Sequence, residues 1–253
     1  MSTVLIMTNN DTVAYVSVPA KGNAGVKAAG LDTYSGILVS DHEAAFVNLD
    51  CSRQECMAHT LRYGVGSVAN EPDLNWNQSF TDWDRRAIEH WHTYDPNFSE
   101  QWKEKSNILI QEFYSILKLA KEEYEYDPPG KYNKDGFNLY KRMAEFPDDY
   151  ILFLRDPSVP PTNNIAEQKG RVYKRKAHQV MSFRGELGEE RYCDSLTILG
   201  SARMQGQNIY DVVTGAFDTV VVRQKKRSPV LTPLQKMKER FSNPDDGVRI
   251  SST

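Results

Sequence analysis

Two short apolar runs open the chain, TVLIMT over 3–8 and TVAYVSV over 12–18, with the turn-forming residues Asn9, Asn10 and Asp11 between them. β-branched residues on either side of such a turn predict a hairpin. A short helix follows over 22–30 and stops near Gly30. Gly36-Ile-Leu-Val-Ser40 then predicts a third strand running straight into Asp41, and 54–58 is a candidate fourth. No strand is predicted after it. From about 74 to 150 the period lengthens to that of a helix. Phe80, Trp83, Ala87, Ile88 and Trp91 share one stripe. Trp102, Leu109, Ile110, Phe113, Ile116, Leu117, Ala120 and Tyr124 form a second over 99–126, closed by Asp127-Pro-Pro-Gly130. Such stripes read first as core packing.

Pro157, Pro160 and Pro161 stiffen the passage into Thr162-Asn-Asn-Ile-Ala-Glu167, a helix start. Ser182-Phe-Arg-Gly185 predicts a turn, and a helix over 188–205 carries Tyr192, Leu196 and Leu199 on one face. Gly206 ends that helix, and Asn208 is placed to cap a last one through Phe217. The basic, Ser- and Pro-containing stretch beyond about 222 has no period and predicts disorder. Four segments result: 1–70 with the strands, 71–155 helical, 156–217 helical, and a basic tail over 218–253.

Composition narrows the class without choosing a function. The chain has 253 residues, 40% apolar and 26% charged, with a net charge of −3, ordinary values for a globular protein with a sizeable core. No apolar run reaches the ~20 residues of a membrane helix. The start, MSTVLIMTNND, lacks the basic leader of a secretory signal. Cys51, Cys56 and Cys193 are too few for a disulfide framework, so a reduced, cytoplasmic protein is expected. The overall charge conceals two opposed segments. Residues 71–127 hold 13 acidic and 6 basic side chains, a poor surface for nucleic acid. Residues 169–184 hold six basic side chains (Lys169, Arg171, Lys174, Arg175, Lys176, Arg184) and no acid. Arg171, Lys174, Arg175 and His178 recur at helical spacing and share a face that can follow a phosphate backbone; a merely solvated face is the competing reading.

Two carboxylates stand where chemistry can use them. Asp41 follows a strand directly, and Glu167 lies in the first turn of a helix; together they are a plausible pair of hard ligands for Mg²⁺ or Mn²⁺. Plainer readings compete. Asp41 can cap the helix after it, and Asn164 and Glu167 have the spacing of a capping box. Cys56 and His59 form a lone C-x-x-H, with only Cys51 and His42 nearby at no recognised zinc spacing.

Taken in order, these pieces are more specific than any alone: a strand ending in Asp41-His42, Cys56-Met-Ala-His59 with Arg62 behind it, a helical insertion, Pro161-Thr-Asn-Asn-Ile-Ala-Glu167, a basic segment, and Ser182-Phe-Arg-Gly185. The sequence resembles bacterial transposases of the insertion-sequence sixty-six family over about residues 3–217. The resemblance implies an α/β fold, a ribonuclease H-like core of the DDE class with a large helical insertion. It makes Asp41 and Glu167 the second and third catalytic carboxylates and metal ligands, with His59 assisting near the scissile phosphate. It implies Mg²⁺- or Mn²⁺-dependent nicking of a transposon end and attack of the freed 3′-hydroxyl on target DNA. The partners implied are transposon-end and target DNA and further copies of the chain, in a bacterial cytoplasm, at the nucleoid, with no membrane.

One departure stands out. In the family the strand bearing the first catalytic Asp precedes the hairpin, and nothing here matches it; Asp11 and Asp32 are not placed to substitute. The expectation is a chain truncated at its N-terminus, with an empty central slot between the hairpin and the strand ending at Asp41, and two unpaired sheet edges. A two-metal site is then expected only if an upstream polypeptide supplies the first Asp. The alternative is a catalytically inactive remnant or a DNA-binding accessory protein.

Overall fold

The computed structural model describes residues 3–129, 135–180, 183, 186–224 and 248–252. They form a mixed α/β protein in two compact units, one of Met1–Cys51 with Asn163–Thr253, the other of Ser52–Thr162. The first unit opens with β1 (Thr3–Thr8), β2 (Val13–Val18), α1 (Asn23–Ala28), β3 (Ile37–Ser40) and α2 (Ala44–Val47). The second holds β4 (Ser52–Glu55), α3 (Met57–Asn70), α4 (Trp76–Trp91), α5 (Ser99–Tyr126), α6 (Asp135–Glu145) and α7 (Leu152–Arg155). The chain then returns to the first unit with α8 (Asn164–Val180), α9 (Glu186–Met204), α10 (Ile209–Gln224) and β5 (Val248–Ser252). Among the described residues no helix is long and apolar enough to cross a membrane.

The strands of the first unit lie in the order β2-β1-β5-β3. β1 pairs antiparallel with β2, from Thr3↔Val18 to Thr8↔Val13, and antiparallel with β5, from Leu5↔Ser252 to Thr8↔Arg249. β5 pairs parallel with β3 through Leu38↔Val248 and Val39↔Arg249. Two expectations are corrected here. The slot between hairpin and β3 is not empty, because β5 fills it and closes both edges. The tail over 218–253 is not wholly disordered: α10 continues to Gln224 and residues 248–252 are a strand, while 225–247 lie outside the described residues. Strand character in VRISS was hidden by its brevity, since a five-residue run gives almost no period.

Side-chain alternation makes both faces of this sheet apolar. Leu5, Met7, Ala14, Val16, Val18, Leu38 and Ile250 pack with Val26 of α1, with Ala29 just after it, and with Ala45 and Phe46 of α2. On the opposite face Val4, Ile6, Val13 and Tyr15 meet Tyr173 of α8 and Cys193 of α9. Where β2 would leave its outer backbone groups open, α9 covers them. Thr197 Oγ1 accepts from Tyr15 N at 2.9 Å; Ser201 Oγ accepts from Val13 N and donates to Val13 O, both at 3.0 Å. Gly200 makes this approach possible, because a Cβ there would stand 2.6 Å from Val13 Cγ1. The hydroxyls shield an edge that could otherwise pair with another chain.

The second unit is built on aromatics. Trp76, Phe80, Trp83, Phe113 and Tyr150 are buried in a chain of ring contacts, and Trp83 Nε1 donates to Leu109 O at 2.8 Å. Glu123 of α5 accepts from the N–H groups of Asn75 and Trp76, placing a carboxylate at the positive end of α4. Buried Arg53 pairs with Asp149, its Nε donating at 3.1 Å. The second unit begins at Ser52 and takes in α3, which packs on α4. Thr60 of α3 bonds Asp84 of α4 at 3.0 Å, and Gly64 lies against Phe80 and Thr81.

Candidate functional site

Asp41 is the first residue beyond β3, half-buried, following a buried Ser40. The backbone turns at once, with Glu43 N donating to Asp41 O at 2.9 Å. Glu43, not Asp41, occupies the cap position of α2. On the far side of the sheet order, Glu167 N donates to Asn163 O at 3.2 Å, which makes Asn163 the cap of α8. The third helical residue from that cap is Ala166, so Glu167 stands one place beyond the capping-box position.

Asn163 is 1% exposed, and its Nδ2 donates to Ile250 O at 3.0 Å, fixing the start of α8 to the middle of β5. β3, which ends one residue before Asp41, pairs with β5 through Leu38↔Val248 and Val39↔Arg249. β5 thus pairs with the strand that leads into Asp41 and is tied by Asn163 to the start of the helix that carries Glu167. His59 belongs to the second unit, half-buried in the first turn of α3 after the buried Cys56. The α3 start is held by Met57 N donating to Pro161 O at 2.9 Å.

Beyond Glu167, α8 divides cleanly by face. Tyr173 is buried, its hydroxyl donating to Glu189 of α9, which also accepts from Ser17 Oγ at 3.0 Å. Tyr15 OH donates to Lys169 O at 3.0 Å. Arg171, Lys174, Arg175, Lys176 and His178 are exposed, and Lys169 is half-buried. Gln168, Arg171, Lys174 and Arg175 line an open groove of about 550 Å³. Arg184 and the turn at 182–185, apart from Phe183, lie outside the described residues.

A match to the IS66 transposase family spans residues 4–190. The chain belongs to the IS66 family of transposases. No match was found among curated proteins or among solved structures. In this IS66-family chain the matched span takes in Asp41, His59, Glu167 and the basic face of α8, while α10 and β5 lie beyond it. Membership makes a divalent metal the expected cofactor class. Asp41 and Glu167 offer the hard oxygens such an ion takes. β5 reads VRISS and carries no carboxylate, so the strand beside Asp41 adds no third acidic ligand.

Reading residues alone missed Asn163 as a tie between α8 and the sheet, and missed Arg249 beside β3. A polar residue just before a helix start was the available signal for Asn163. Glu189 gave none, because its partners Tyr173 and Ser17 are distant in sequence.

Proposed function

We propose that the first unit is a ribonuclease H-like core of a DDE transposase that acts on DNA, and that Asp41 and Glu167 hold a Mg²⁺ or Mn²⁺ ion there. The observation that carries this reading is the family match, whose span takes in Asp41 at the end of β3, Glu167 in the helix start tied to β5, and the basic face of α8 beside it. The mixed strand order, with β5 antiparallel to β1 and parallel to β3, fits such a core.

A bound divalent ion would supply Lewis-acid activation of an attacking oxygen and stabilisation of a leaving one in phosphoryl transfer. The chain's own residues do the rest. Arg171, Lys174 and Arg175 hold the phosphate backbone along the groove, and Asn163 holds Glu167's helix turn to the sheet. Several copies act on two DNA ends in the bacterial cytoplasm.

A second reading is favoured by one observation: β5, the strand paired with β3, carries no carboxylate. On that reading the chain binds DNA and does not cut it. Both readings require α8 to bind DNA. Changing Arg171, Lys174 and Arg175 to Ala should weaken duplex binding and reduce the slope of log affinity against log salt by roughly 2–3. Unchanged slope and affinity would remove the DNA reading altogether. Mn²⁺-dependent nicking with an upstream product added, lost in Asp41→Asn and Glu167→Gln, separates the enzyme from the binder.

A further inference from the structure

We propose that the slot between β1 and β3 is a strand-acceptor site, and that residues 248–252 occupy it as an exchangeable strand which a second copy of this chain can supply. The inference rests on the sheet alone and does not depend on the chemistry at Asp41.

The slot is built for one strand. Its two walls are the ladder groups of Leu5–Thr8 on β1 and of Leu38 and Val39 on β3. Ile250 is fully buried among Leu5, Met7 and Leu38. Asn163 contributes a buried side-chain donor to Ile250 O, and Asn10 accepts from Arg249 Nη2 at 3.1 Å. An extended segment with a polar residue, an isoleucine and a polar residue in succession satisfies all of these at once.

The occupant is held by few bonds. It pairs with four residues of β1 and two of β3. Arg249 is 9% exposed, and its Nε has no hydrogen-bond partner among the described residues. Burial pulls this guanidinium below its ordinary pKa, the mark of a charge that loses hydration on entering the slot.

Nor does the covalent chain confine β5 to its own copy. The connection over 225–247, about 23 residues, reaches at most roughly 75 Å when extended, against a diameter of about 30–40 Å for a domain of this size. A strand from a second copy makes the same contacts, so the choice between the two is set by effective concentration. An empty slot would leave two unpaired edges in mid-sheet, so some strand must fill it.

The test uses the full chain with Ile250→Asp, whose own strand can no longer enter the apolar wall, and a fluorescent synthetic peptide of residues 245–253. The peptide should bind this variant at least tenfold more tightly than it binds the wild-type chain, raise its melting temperature, and fail to bind when the peptide carries the same Asp. The wild-type chain should show a dimer fraction that grows with concentration and is lost in Ile250→Asp. If that variant does not fold, full-length Ile250→Ala should show the same ranking in smaller measure. Equal binding to wild type and variant, binding to neither, or a wild type that stays monomeric at all concentrations overturns the proposal.

Discussion

Asp84 offers the sharpest test of the second unit's energetics. Its side chain is buried at the contact of α3 and α4, where Thr60 Oγ1 lies 3.0 Å from Oδ2 and Oδ1 has no partner among the described residues. Loss of hydration raises its carboxyl to about 8 from an ordinary 3.8. Below the ordinary value both folded and unfolded forms are protonated and no penalty exists. As pH rises, the unfolded chain releases the proton first, so stability falls continuously until the folded carboxyl also ionises near 8. From 3.8 to pH 7, at 1.36 kcal/mol per pH unit, the loss is about 4 kcal/mol. Asp84→Asn keeps the shape and cannot ionise. All four tryptophans (Trp76, Trp83, Trp91, Trp102) lie in the second unit, so urea unfolding followed by tryptophan emission reads that unit directly. The stability of Asp84→Asn relative to wild type should rise by about 4 kcal/mol between pH ~4 and pH ~7. A gap that stays constant within about 0.5 kcal/mol over that range would refute the reasoning, because it would mean Asp84 ionises as easily folded as unfolded.

Three further outcomes are expected. Gly200→Val should cost about 1–3 kcal/mol by forcing α9 from β2, and faster amide exchange at Val13 and Tyr15 would locate the damage; an unchanged exchange rate would contradict the close packing. Glu189→Ala leaves the Tyr173 and Ser17 hydroxyls without their shared acceptor, and should lower stability by about 1–3 kcal/mol in a thermal melt, with Glu189→Gln intermediate. His90 is buried against Trp102 O and Ser106 Oγ, and burial lowers its pKa. The unfolded histidine therefore protonates first, and the second unit should lose stability as pH falls through about 6.5, a slope that His90→Gln should abolish.

Legibility in the sequence followed the length and regularity of each element. The hairpin, β3, α4 and α5 could be read because their side chains keep one period over several turns or pairs. Asn208 was also legible, and its Oδ1 accepts from Tyr210 N at 2.9 Å as a cap should. α3 was not, since Gly64 and Gly66 interrupt its propensity and only its packing on α4 fixes it. β5 was not, because pairing with β1 and β3, rather than any local preference, makes VRISS a strand. Asp41 and Glu167 could be singled out by position, whereas their common relation to β5 required residues more than 80 positions apart, such as Asn163 and Ile250.

The interleaving of the two units also sets an order of events during synthesis. Residues 52–162 are one continuous stretch, so the second unit has all its parts while later residues are still being made. The first unit cannot close then. Its sheet joins residues 3–40 to residues 248–252, and α9 must arrive before β2 is covered. Until residue 252 is available, the hairpin and β3 wait with an open gap between them, and the nascent chain presents strand edges over most of its translation. Contacts of such long sequence separation form slowly. Folding of the first unit is therefore tied to the synthesis of residues 248–252, and its exposed edges make the interval before them the one most open to misassembly.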